Sequence, residues 1–183
     1  MRWPWQKRVV SSKTPAALAA GKKAYAAGSR AVGEGRYDEA VSAFERAATL
    51  VPEWLEAHIN AGSVCYQLAQ NSAEASRELY LSRAETHFVS ALRLKPDSLP
   101  ASLNLAATLH AQGRSAESVA VLESLAGDYP DLRDVHYNLA VGYAQAGQLD
   151  RARVAVAEEM RRHPDHRAAG ELLERLNQQP AER

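Results

Sequence analysis

The sequence predicts an all-α protein built from repeated antiparallel helix pairs. Three observations predict it. Prolines recur in Leu50-Val51-Pro52, Leu94-Lys95-Pro96, Asp128-Tyr129-Pro130 and Arg162-His163-Pro164, spaced by 44, 34 and 34 residues. Gly35, Gly113 and Gly147 each stand 17 residues before one of these prolines. Alanine is abundant while aromatics make up only 7% of the chain. Alanine favours helix and fills volume poorly, so helices must approach closely to make a core.

Each glycine opens the same short pattern. Gly35-Arg36-Tyr37-Asp38-Glu39-Ala40, Gly113-Arg114-Ser115-Ala116-Glu117-Ser118 and Gly147-Gln148-Leu149-Asp150-Arg151-Ala152 each read as a tight turn followed by a helix start. Glycine ends the first helix where the chain needs left-handed geometry, and proline stands where the second helix has stopped. The expected units are residues 21–54, 55–98, 99–132 and 133–166. Apolar positions Ala168, Ala169, Leu172, Leu173 and Leu176 then predict a helix over 167–177, which covers the last unit's open face. Residues 178–183 read as a polar tail.

Unit two is ten residues longer than the repeat. Its extra stretch, near 70–80, contains no Gly or Pro. It predicts a lengthened second helix over about 73–93, capped by Asn71 or Ser72. Tyr80 and Leu81 then become candidates for a second interaction surface, the alternative being that they cover the adjacent turn.

Recurrence of these residues resembles the tetratricopeptide repeat (TPR) family over about 21–177. The marks are Ala27, Gly28, Ala31, Ala40, Phe44, Ala47 and Pro52; Ala61, Gly62, Cys65, Ala84, Phe88, Ala91 and Pro96; Leu105, Ala106, Leu109, Ser118, Leu122, Leu125 and Pro130; and Leu139, Ala140, Tyr143, Ala152, Val156, Glu159 and Pro164. The resemblance implies a right-handed α-solenoid. Gly28, Gly62, Ala106 and Ala140 are the expected close contacts between facing helices. Glu159 replaces a small residue, so it is expected at an edge or paired, because a buried unpaired carboxylate is costly.

The resemblance also implies a concave face lined by the first helix of each pair. The residues expected there are Lys22, Tyr25, Ser29, Asn60, Ser63, Tyr66, Gln67, Asn104, His110, Tyr137, Asn138 and Gln145. Asn60, Asn104 and Asn138 share one position in three successive units. A carboxamide both donates and accepts, so it can pair with a peptide backbone whatever the peptide's side chains; the alternative is bonding to the neighbouring helix. The family's clamp for a peptide's terminal carboxylate is not expected. Tyr25 and Ser29 stand at its first two places and Asn60 matches, but Pro100 and Asn104 replace its last two bases.

Net charge separates two regions. The chain has 22 basic and 22 acidic residues, formally zero. Residues 1–33 hold Arg2, Lys7, Arg8, Lys13, Lys22, Lys23 and Arg30 and no acid, so a head of +7 balances a remainder of −7. Residues 1–20 read as a basic, flexible segment. Only Val9 and Val10 follow the first charges, which is too short an apolar run for a secretory signal. The head also has no Cys for lipid attachment, and no stretch approaches a membrane span. A cytoplasmic location is expected. The excess of Arg (17) over Lys (5), with the abundant Ala, suggests a GC-rich bacterial genome.

Chemistry is sparse in the sequence. It carries no phosphate-binding glycine loop and no zinc-protease motif, and its single Cys excludes a disulfide scaffold. Cys65 falls at a core position; His58 and His136 share another repeat position. His163, Asp165 and His166 cluster without an evident fourth ligand. No catalytic residue, metal site or cofactor is expected. The predicted function is a non-enzymatic scaffold that binds a protein or peptide segment in its groove. The alternatives are self-assembly, through the stack ends or the unit-two extension, and a membrane- or RNA-associated adaptor docking through the basic head. Nucleic acid is not an expected partner otherwise.

Overall fold

The computed structural model describes residues 14–178. Its helices are α1 (Pro15–Gly33), α2 (Tyr37–Leu50), α3 (Leu55–Gln70), α4 (Glu74–Leu94), α5 (Leu99–Ala111), α6 (Ser115–Asp128), α7 (Val135–Gln145), α8 (Leu149–Arg162) and α9 (Arg167–Asn177). Among the described residues there is no strand. The chain forms two compact units, one running to Thr108 and the other beginning at Leu109. In the first, α1 packs on α2, α2 on α3 and α3 on α4; in the second, α6 packs on α7, α7 on α8 and α8 on α9.

Local chemistry explains the boundaries. Thr14 Oγ1 accepts the Ala17 N–H at 3.1 Å and Pro15 occupies the first turn, so α1 starts ahead of residue 21. Most of the basic head, residues 1–13, lies outside the described residues, as do residues 179–183 of the tail. The glycine turns repeat one geometry. Gly35, Gly113 and Gly147 have φ of 73°, 78° and 77°. The N–H after each reaches back to a helix carbonyl: Arg36 to Ala31 at 2.8 Å, Arg114 to Leu109 at 2.9 Å, Gln148 to Tyr143 at 2.8 Å. This is the bond that closes a Schellman cap.

The proline turns repeat too. Pro52, Pro96, Pro130 and Pro164 each follow a helix whose last N–H bonds are already made, such as Lys95 to Ala91 and Tyr129 to Leu125, both 2.9 Å. The turn between α3 and α4 is different. Asn71 and Ser72, expected as caps of α4, instead bond carbonyls at the end of α3: Asn71 to Gln67 at 3.0 Å and Ser72 to Leu68 at 2.8 Å. Ala73 holds the N-cap position of α4 with no side-chain bond. The reason is reach: both side chains fold back on the helix they terminate. Helix α4 has 21 residues against 14 in α2, α6 and α8.

The core is assembled from small-to-large contacts. Phe44 and Phe88 are the only phenylalanines, and both are buried in the first unit. A Cβ at Gly28 would lie 2.8 Å from the Phe44 ring, and one at Gly62 would lie 2.7 Å from the Phe88 ring. The rings therefore rest on bare helix backbone. Helix α1 buries only Gly21, Ala24, Gly28 and Ala31. Tyr25 thickens its contact: its ring stacks on Trp54 (4.6 Å between centres) and meets Phe44 edge-on (5.3 Å).

Candidate functional site

In the first unit the first helices are joined edge to edge by side chains. Asn60 on α3 donates through Nδ2 to Tyr25 Oη on α1 at 2.8 Å. Asn104 on α5 donates through Nδ2 to Ser63 Oγ on α3 at 3.4 Å. Neither Asn Oδ1 has a hydrogen-bond partner among the described residues. Tyr25, Asn60, Ser63, Tyr66 and Asn104 are half-buried, and Lys22, Ser29 and Gln67 are exposed. Ser29 Oγ donates to the Tyr25 carbonyl on its own helix. The face is thus polar and partly accessible, and its two bridges fix side chains that would otherwise lose rotamer freedom on binding.

In the second unit the expected residues are used differently. Asn138 Nδ2 donates to the Asp134 carbonyl one turn back, at 2.7 Å, which anchors it to its own helix. His110 Nδ1 lies 3.0 Å from Ser115 Oγ. The Tyr137 ring packs on His166, with centres 5.0 Å apart. Tyr137, Asn138 and His110 are half-buried, and Gln145 is exposed. On α7 and α8, His136, Leu139, Tyr143, Arg151, Val154 and Glu158 line a shallow groove in which Val154 is 72% exposed.

The α4 extension corrects one expectation. Leu81 is 3% exposed and belongs to the core, so it offers no contact surface. Tyr80 is half-buried and donates to Asp38 Oδ1 at 2.8 Å, tying α4 to α2. The exposed apolar side chain of this segment is Leu79, at 59%. Helical phase explains this, because Leu81 falls on the buried face of α4 that also carries Ala84, Phe88 and Ala91.

Glu159 is fully buried and paired. From α8 it accepts the N–H groups of Asp134 at 3.0 Å, His136 at 3.2 Å and Tyr137 at 3.3 Å, capping the start of α7. Asp134 holds a left-handed φ of 71° there. His166 caps α9, its Nδ1 accepting the Ala169 N–H at 3.2 Å, and its Nε2 lies 2.7 Å from Asp134 Oδ1. Thus His166 meets Asp134 and Glu159 rather than His163 and Asp165. These three groups lie close enough for a metal ion, but their donors are committed. The His166 Nδ1 lone pair is taken by a backbone N–H, which leaves the proton on Nε2, and the Glu159 oxygens already serve three N–H groups.

Cys65 is buried, and its thiol is pushed up to about 12, first by burial; nearby Arg83 lowers it and Glu45 raises it. Such a thiol is unreactive. We expect no modification of Cys65 by a thiol reagent at mildly alkaline pH in the folded protein and complete modification in denaturant. Rapid native labelling would contradict this burial.

A tetratricopeptide repeat family profile matches residues 25–83 and 111–167, more than half of the chain, and a second profile of the same description matches 81–136. The chain belongs to the tetratricopeptide repeat family. Solved TPR structures share its fold. A thermophilic TPR protein of Thermus thermophilus has a TM-score of 0.60 at 19% identity, over 86% of this chain and 97% of that one. YrrB, described as a TPR protein with an unusual peptide-binding site, gives 0.63 at 22%, over 86% and 75%. MamA from Desulfovibrio magneticus gives 0.61 at 20%, over 86% and 93%. No curated protein matches the chain. The fold class is therefore the all-α TPR solenoid of antiparallel helix pairs. TPR modules are generally non-catalytic and bind proteins or peptides, and this TPR chain is a protein-interaction scaffold in that general sense. Among the described residues, no helix is long and apolar enough to cross a membrane.

Proposed function

We propose that this TPR protein binds an extended peptide segment of a partner protein across α1, α3 and α5 of the first unit. The observation that carries the reading is the pair of bridged asparagines. Asn60 and Asn104 are each held by one N–H, which leaves a carboxamide oxygen and a second N–H for a ligand backbone. Tyr66 and Gln67 lie one to two turns along α3 from Asn60 and supply contact area beside them. Asn138 makes its bond within α7 and is a weaker candidate for the same role.

The test is a random-peptide display selection on the intact chain, followed by affinity measurement on Asn60→Ala/Asn104→Ala. Selected peptides should bind the double variant at least about tenfold more weakly, a loss of about 1.4 kcal/mol. Circular dichroism melting checks that the variant is folded. Equal affinity for both proteins would remove this face from consideration.

A further inference from the structure

A largely buried histidine pair joins α2, α3 and α4, and its bonding pattern can be worked out atom by atom. His58 Nε2 lies 2.9 Å from the Pro52 carbonyl. A carbonyl only accepts, so this nitrogen carries a proton. His87 Nε2 lies 3.3 Å from Glu45 Oε1. Glu45 is held below the usual carboxylate range: burial pushes it up, but hydrogen bonds from Arg83 and His87 outweigh burial. It is an ionised acceptor, so His87 Nε2 carries a proton as well. The two remaining nitrogens, His58 Nδ1 and His87 Nδ1, face each other at 3.4 Å. With both rings neutral, two lone pairs would point at one another. With both rings charged, two N–H groups would collide.

We infer that His58 and His87 share one proton between their Nδ1 atoms, so that the first unit is most stable with this pair singly charged and weakens as a proton is either added or removed.

Geometry selects a proton over a metal ion as the bridge. The ring centres are 5.7 Å apart and the facing nitrogens 3.4 Å. The difference is about one ring radius, about 1.2 Å, at each end, so the rings point straight at each other as in a linear N–H···N bond. Zinc held at about 2.0–2.1 Å by each nitrogen in a tetrahedral site would need the two rings to converge at a corner.

The surrounding charges fit a single positive charge on the pair. Glu45 faces it from α2, and Arg83 on α4 holds that carboxylate by a two-nitrogen bridge at 3.0 and 2.8 Å. Cys65 on α3 stays a neutral thiol beside Arg83 and Glu45. Glu53 follows Pro52 in the turn. His58 is lowered first by burial and further by His87, against the Pro52 bond, so a second proton is disfavoured. His136 shows what is particular here. It repeats the bond to the turn, Nε2 to Pro130 carbonyl at 3.1 Å, but has no histidine facing it.

Sign follows from proton counts. Two unfolded histidines with ordinary values of about 6.5 hold nearly two protons well below that pH and nearly none well above it. A folded pair holding one proton therefore gives up stability on both sides. The difference in unfolding midpoint between the wild type and His58→Gln/His87→Gln should be greatest near pH 6.5 and fall by several degrees toward both pH 5 and pH 8; the remaining histidines are common to both proteins and cancel. Imidazole nitrogen NMR of the wild type gives a readout that needs no variant. Both Nε2 atoms should be protonated and one proton shared by the Nδ1 atoms across that window. A difference that is flat in pH, two rings titrating independently near 6.5, or stoichiometric zinc binding that shifts both Nδ1 signals would overturn the inference.

Discussion

Replacing Glu159 by leucine should destabilise the second unit by about 3–5 kcal/mol, because it takes the acceptor from three backbone N–H groups at about 1–3 kcal/mol each where they stay unpaired. Three N–H groups at the start of α7 have Glu159 as their acceptor. They are the orphan donors of any helix start, and here no residue of α7's own N-cap serves them. Leucine would fill the volume but leave these three partly buried groups without their acceptor. Asp134 would also lose the bond that holds its left-handed backbone. Glu159→Gln keeps one acceptor oxygen but turns an amide N–H₂ toward the same donors, so its loss should fall between wild type and leucine. Urea unfolding followed by a probe in the second unit measures this. A leucine variant within about 0.5 kcal/mol of wild type would show that the N–H groups find other partners.

Phe88→Ala should cost about 3–5 kcal/mol, the range for deleting a fully buried aromatic side chain. Phe88 is 0% exposed and its ring lies on the backbone of Gly62. Contact this close makes the two positions interdependent. In the wild type, Gly62→Ala puts a methyl 2.7 Å from a fully buried ring, at about 1–3 kcal/mol. In the Phe88→Ala background the ring is gone, and the same substitution should become neutral or stabilising by up to about 1 kcal/mol, the helix-propensity difference between glycine and alanine. A double-mutant cycle on unfolding free energy reads the sign change. If Gly62→Ala costs the same in both backgrounds, the ring-on-glycine contact is not what fixes the spacing of α3 and α4.

Repetition made most of the fold readable. Gly35, Gly113 and Gly147 occupy equivalent turns because each needs a positive φ, and Pro52, Pro130 and Pro164 follow helices of 14 residues each, so period and boundary come from the same residues. Gly28 and Gly62 were recognisable as contact points because only a bare backbone admits a phenyl ring so closely. Features outside the repeat were harder to see. In the α4 extension no second copy fixes the helical phase, and Leu81, expected at the surface, lies in the core while Leu79 is exposed. Glu159 breaks the pattern of small residues, and its purpose depends on backbone N–H groups more than twenty residues earlier. The histidine pair is the extreme case: His87 falls at a position with no counterpart histidine in the other units, and only the folded chain sets it against His58. At the candidate site, residue type and repeat position pointed to Asn60 and Asn104. The bridges to Tyr25 and Ser63, and the different use of Asn138, depend on distances between helices that no local pattern encodes.

Within each unit the most extensive packing joins helices consecutive in the chain. Such a layout closes only short loops as it forms, which is the low-contact-order regime of microsecond-to-millisecond folding. Each new pair has a finished surface to condense on as it leaves the ribosome, and loss of one end need not dismantle the other. For a scaffold, the consequence is graded resilience: a terminal pair can fray and re-form under load while the helices next to it stay assembled.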